Sequence, residues 1–114
     1  INKALEISAN KDLLKITNDP ESAVNEANVI YTDVWSSMGE EKQKEEKDSH
    51  FDGFTVDKNL VRRADKNVIV LHCLPAYRSK EITDDVIEGK ESRIFEQAEN
   101  RLHAQQALLS CLLN

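Results

Sequence analysis

What the chain lacks narrows its class before any motif is read. No apolar run in the 114 residues approaches the roughly 18 consecutive residues that a membrane span needs. The amino terminus also lacks a basic stretch followed by an apolar one, so no targeting signal is expected in the sequence as given. Positive charge is in deficit. Fifteen Lys and Arg stand against twenty-one Asp and Glu, a formal charge of -6, which opposes non-specific binding to nucleic acid or to an anionic membrane. Cysteine is scarce: Cys73 and Cys111 are too few and too far apart for a disulfide scaffold or a CxxC metal site, and free thiols in a reducing cytosol fit better. Met38 is the single methionine, so Ile1 is not an initiator as encoded, and the expectation is a fragment or a processed chain. The length sits in the range of one domain with a modest core.

What is present alternates between strand-like and helix-like stretches. Ala4, Leu5 and Ile7 suit the tail of an amphipathic helix that stops near Asn10. Leu13 to Thr17 reads as a short strand, after which Asp19 can cap, and Pro20 begin, a helix running through Ser22 to Ala27. Val29, Ile30 and Tyr31 form a β-rich run of the kind buried on both faces, ending at Thr32 and Asp33. The stretch from Glu40 to Ser49 is almost wholly charged and predicts a solvated helix or loop. Asp57 can cap a helix carrying Leu60, Val61 and Ala64, and Val68 to Leu71 is the most strand-like segment. Thr83 or Asp84 can start a short helix that Gly89 ends. Arg93 to Phe95 predicts another short strand, and Ala98 to Leu113 a long closing helix. The pattern predicts an α/β fold, with a parallel sheet covered by helices on both faces.

In open sheets of this kind ligands bind beyond the carboxyl ends of the strands, so three loops carry the chemical interest. The first, Asp33-Val34-Trp35-Ser36-Ser37-Met38-Gly39, combines a carboxylate, hydroxyls and a glycine, a set suited to a cationic amine; the plain alternative is that Asp33 or Ser37 caps a helix near Glu40. The second, His72-Cys73-Leu74-Pro75, puts a thiol at a strand terminus. Consecutive strand residues face opposite ways, so His72 and Cys73 are not expected to touch, which weakens an analogy with Cys/His hydrolases; the alternative is a buried apolar filler. The third, around Glu96, Gln97, Glu99, Asn100, Arg101 and His103, offers a guanidinium able to fork onto a phosphate or carbonyl oxygen, with Glu99 holding it in place; the alternative is ordinary surface pairing along a helix.

Taken together, in this order and at these separations, the three loops resemble the ornithine carbamoyltransferase family: Asp33-Val-Trp-Ser-Ser37-Met38-Gly39, then His72-Cys73-Leu74-Pro75, then Phe95-Glu-Gln-Ala-Glu-Asn-Arg101-Leu-His103. The resemblance extends over essentially the whole chain. It implies a Rossmann-like three-layer α/β/α domain, the second of the family's two, with its first strand missing. It also implies that the family's Ser-Thr-Arg-Thr loop and His-Pro-x-Gln segment, which serve carbamoyl phosphate, lie outside the chain. Ser36 stands where members often carry valine.

Several expectations follow from the resemblance alone. The partners are L-ornithine and carbamoyl phosphate, in a protein that assembles as a homotrimer with no cofactor, metal, nucleic acid or membrane, in the cytoplasm or, in a eukaryote, the mitochondrial matrix. Asp33, Ser37 and Met38 are implied to bind ornithine. Cys73 is implied to contact the reacting amine, Leu74 to offer its carbonyl oxygen to the carbamoyl amide, and Arg101 to polarise the carbamoyl oxygen, so that Cys73, Leu74 and Arg101 share the carbamoyl group. The Leu74–Pro75 peptide is implied to be cis. The closing helix, which in the family packs back on the first domain, is expected to be displaced or frayed here, with Leu108, Leu109, Leu112 and Leu113 exposed. Three other readings compete: a non-catalytic amino-acid-binding remnant, a transcarbamylase for another amine such as putrescine or acetylated ornithine, and a general cysteine hydrolase.

Overall fold

The computed structural model describes residues 2–8, 10, 13–36 and 48–113. Among the described residues the named elements are, in order, α1 (Asn2–Ile7), α2 (Pro20–Val24), β1 (Val29–Thr32), α3 (Lys58–Val61), β2 (Ile69–His72), α4 (Asp84–Ile87) and α5 (Ile94–Leu113). The α/β expectation holds: β1 and β2 pair in parallel, Val29 opposite Ile69 through Thr32 opposite His72, in a Rossmann-like arrangement. The helices start where side chains can satisfy the orphan N–H groups of a first turn. Asp19 accepts from the backbone of Glu21 and Ser22, and Asp57 accepts from Leu60 at 2.8 Å. Thr83 precedes α4 without a side-chain cap bond.

One core joins the elements from α2 onward. Ile30 and Val70 from the strands meet Val24, Val56, Leu60, Val61, Val68, Ile82, Val86, Ile87 and Ile94. Single bridges extend the sheet: Val56 pairs with Ile82, and Val70 with Ser92.

Four sequence expectations are corrected. Leu13 to Thr17 is not a strand: residues 14–17 have no regular structure. Leu13 and Ile16 are exposed, because a strand needs a neighbouring ladder and no described segment provides one. The helix expected through Ala27 ends at Val24, since Glu26 adopts a left-handed φ of 59°. β1 is buried on one face only, with Val29 49% and Tyr31 57% exposed, for want of a covering layer among the described residues. Arg93 to Phe95 is not a strand either. The chain pairs with β2 at Ser92 alone and turns into helix at Ile94, whose fully buried side chain anchors the first turn in the core. Most of the Glu40 to Ser49 expectation lies outside the described residues; residues 48–50 are helical.

The closing helix is continuous to Leu113, so it is not frayed in this structure. Every residue from 98 to 113 is nevertheless exposed, as expected for Leu108, Leu109, Leu112 and Leu113. Among the described residues no helix is long and apolar enough to cross a membrane.

Two measurements check this architecture. Ile82→Ala should lower unfolding stability by about 3 kcal/mol in urea titration, whereas Leu109→Ala on the exposed helix should change it by under about 0.5 kcal/mol; equal effects would contradict the core assignment. The exposed part of this helix relies on its own marginal propensity, so amide hydrogens of residues 98–113 should exchange faster in a monomer than those of β2. Equal protection would mean that α5 is covered.

Candidate active site

The parallel register decides which loop residues meet. Thr32 lies opposite His72, so the next residues, Asp33 and Cys73, leave the sheet side by side. The Cys73 thiol donates to Asp33 Oδ1 at 2.9 Å, and the Val34 N–H donates to the same oxygen at 2.7 Å. Each partner changes the other's titration. Burial first, then the hydrogen bond and negative charge of Asp33, push the Cys73 thiol above its ordinary value, against smaller opposing effects of the backbone and the Tyr31 hydroxyl. The thiol bond, followed by the Val34 N–H, holds Asp33 below the usual carboxylate range. The resting pair is therefore a thiol on a carboxylate.

The His72 ring makes its hydrogen bonds elsewhere. Its ring is buried, with Nε2 3.2 Å from Glu81 Oε1. The Leu74 N–H donates to its Nδ1 at 2.8 Å. An Nδ1 that accepts carries no proton, so Nε2–H donates to the carboxylate. The expectation that His72 and Cys73 point apart is borne out. Glu81 Oε1 also accepts the Tyr77 N–H at 2.6 Å. Leu74 has a left-handed φ of 52°, and the Leu74–Pro75 peptide is cis, as the resemblance implied.

Arg101 projects from α5 toward this turn. With Cys73, Leu74, Pro75, Ala98 and Leu102 it lines an open cleft of about 500 Å3. One expected contact is absent: Glu99 approaches His103 Nε2 at 3.9 Å rather than Arg101, because residues four apart share a helix face and residues two apart do not. The structure thus gathers Asp33, Cys73, Leu74 and Arg101 at the carboxyl ends of the two strands. Ser37 and Met38 lie outside the described residues. The chain on either side of them is tied together: Trp35 stacks on Phe51 at 5.7 Å, the Ser36 hydroxyl donates to Asp48 at 3.4 Å, and Lys80 pairs with Asp48.

Sequence reasoning missed Glu81 and the bonds made by Gln97 and Tyr31. A glutamate between Lys80 and Ile82 carries no local mark of burial. The Gln97 side chain bonds residues 25 and 66 positions away, a separation that no helical or strand period reveals. Among the described residues no cluster of three or more His, Cys, Asp or Glu could hold a metal.

An α/β domain that collects a carboxylate, a thiol and a guanidinium beyond the carboxyl ends of parallel strands belongs to the class built to hold a small polar ligand in that crevice. The chain belongs to the aspartate/ornithine carbamoyltransferase family, residues 1–112 matching its Asp/Orn binding domain. It is 73% identical over 113 residues to an ornithine carbamoyltransferase of Prochlorococcus marinus subsp. pastoris, covering 99% of this chain and 37% of that protein. An Archaeoglobus fulgidus ornithine carbamoyltransferase is 51% identical over 113 residues, covering 99% and 36%. Among solved structures, the anabolic ornithine carbamoyltransferase of Campylobacter jejuni superposes with a TM-score of 0.83 at 42% identity, covering 97% of this chain and 36% of that one. The chain therefore spans little more than a third of the length of these relatives.

The Asp33–Cys73 bond predicts a signature in pH. A depressed carboxylate contributes stability above its unfolded pKa that is lost as pH falls through its folded value. A raised thiol contributes stability below its unfolded pKa that is lost as pH rises through its folded value. Asp33→Asn should remove the carboxylate's hold and speed iodoacetamide modification of Cys73 about threefold at mildly alkaline pH, followed by mass spectrometry of the peptide. An unchanged rate would mean that Asp33 does not govern the thiol.

Proposed function

We propose that this chain is the ornithine-binding half of an ornithine carbamoyltransferase, incomplete at the start of that domain, with the carbamoyl-phosphate-binding half outside it. The reaction is transfer of the carbamoyl group to the δ-amine of L-ornithine, giving L-citrulline and phosphate. The observation that carries the reading is the thiol–carboxylate pair of Cys73 and Asp33, beside a cleft that Arg101 shares with Leu74.

The chemistry follows from that geometry. An amine attacks a carbonyl carbon only when neutral, so a site that orients its lone pair and removes its proton lowers the barrier. A protonated thiol takes no further proton unless it gives up its own. Cys73 therefore accepts the amine's proton as a thiolate, having released its own to solvent under the pull of the cationic ammonium bound beside it, while Asp33 orients the amine. The amine adds to the carbonyl carbon and the C=O π pair moves onto oxygen; the tetrahedral intermediate then collapses, and phosphate leaves with the C–O bonding electrons. Negative charge grows meanwhile on the carbamoyl oxygen, and the Arg101 guanidinium aimed there stabilises that state more than the ground state. Ser37 and Met38 are assigned to the loop that receives ornithine. Assembly as a homotrimer and residence in the cytoplasm belong to the same reading.

Citrulline formation tests it, measured with this chain alone and with a full-length polypeptide carrying it. Activity should require full length, and Arg101→Ala should cost about a hundredfold or more in kcat/KM. Turnover by this chain alone would refute the half-enzyme reading, and none at full length would favour a non-catalytic remnant. Saturation by putrescine or acetylated ornithine in place of ornithine would reassign the acceptor.

A further inference from the structure

The sheet beside the site ends in an unusual way. On the far side of β2 from β1, Val70 donates to the Glu91 carbonyl at 2.8 Å, and Arg93 donates to the Val70 carbonyl at 2.9 Å. A parallel ladder repeats every second residue, so the next bond would run from the His72 N–H to the Arg93 carbonyl. That carbonyl is already taken by the Gln97 N–H at 2.9 Å, as the chain turns into α5. The His72 N–H is satisfied instead by the side chain of Gln97, whose Oε1 accepts it at 3.1 Å. A side-chain amide stands in for the missing strand.

The other end of that amide reaches β1. Gln97 Nε2 donates to the Tyr31 hydroxyl at 3.0 Å. Tyr31 and Asp33 are two residues apart and face the same side of the sheet. Tyr31 lies opposite Leu71, so its side chain is the diagonal neighbour of Cys73 on the same face, and its hydroxyl eases the thiol's proton loss against the opposing effect of Asp33. One turn along the helix from Gln97, on the same face, is Arg101, and both line the groove beside Leu71. The one amide therefore ties the helix that carries the guanidinium to the strand that ends in the thiol and to the tyrosine beside that thiol.

We propose that Gln97 and Tyr31 are positioning residues for carbamoyl transfer: Gln97 holds α5 in the register that brings Arg101 over the Cys73 turn, and the tethered Tyr31 hydroxyl orients the thiol. This rests on the function proposed above. Neither residue is assigned a contact with substrate; each acts through a group that has one. The Gln97 contribution acts on the transition state through Arg101, so its loss lowers kcat rather than raising KM for ornithine. The Tyr31 contribution acts on the thiol and is readable without turnover.

The test uses a full-length polypeptide carrying this chain, with two readouts: citrulline kinetics, and the pH profile of iodoacetamide modification at the Cys73 peptide. Gln97→Leu loses both bonds and should lower kcat about tenfold, with KM for ornithine within about twofold. Gln97→Glu keeps the acceptor for the His72 N–H but draws the Tyr31 proton to itself. It should hold kcat within about threefold while moving the Cys73 profile to higher pH. Tyr31→Phe should leave α5 in place and move the same profile to higher pH. The proposal is overturned if Gln97→Leu keeps its kcat or spends its loss in KM, if Gln97→Glu is no better than Gln97→Leu, or if Tyr31→Phe leaves the profile unmoved. A wild-type protein that makes no citrulline refutes carbamoyl transfer instead, and the modification profiles of Tyr31→Phe and Gln97→Glu still decide whether the couple orients the thiol.

Discussion

The pairing register of β1 and β2 is the constraint on which the candidate site depends. With Thr32 opposite His72, Asp33 and Cys73 emerge together at 2.9 Å. A slip of one residue would turn every side chain of a strand to the other face, burying the carboxylate and exposing Ile30. The register is held because Ile30 and Val70 both belong in the core, and a slip of one residue would take one of them out of it. Hydrophobic burial, far from any reacting atom, thus sets the distance between the two groups that would meet the amine.

Beneath the site lies a polar interior whose burial is offset by pairing. His72 and Glu81 are among the most buried side chains of the chain. The imidazole joins the Leu74 backbone to that carboxylate, and the carboxylate joins the imidazole to the Tyr77 backbone. The turn from Cys73 to Tyr77 is therefore held from below by two side chains, while its upper surface faces the cleft. Glu81 Oε2 is buried without a hydrogen-bond partner, so this clamp has spare accepting capacity. The same division recurs along α5, where buried Ile94 fixes the first turn and the rest of the helix is free to present Arg101. An extended exposed helix with Leu102, Leu108, Leu109, Leu112 and Leu113 on its surface is the kind of apolar area a folded protein rarely leaves uncovered.

The capped helix starts at Asp19 and Asp57, the strands around Ile30 and Val70, and the candidate groups Asp33, Cys73 and Arg101 were legible from the chain itself. Each depends on local chemistry: a short polar side chain beside orphan N–H groups, a β-branched run, a reactive group at the end of such a run. The errors fall where local preference yields to what is or is not packed alongside. Leu13 to Thr17 and Arg93 to Phe95 have strand-like composition. The first finds no ladder among the described residues, and the second is diverted after Ser92 because Ile94 is needed in the core as the start of a helix.

By itself, then, the sequence determined the alternation of strands and helices, the loops that carry reactive groups and the family they resemble, because these depend on residue type and near neighbours. Only the tertiary structure decided which groups meet. It set the thiol on the carboxylate, turned Glu99 to His103 rather than Arg101, and sent the Gln97 amide across to two strands. Those contacts depend on register and packing between residues far apart in the chain, and no local period encodes them.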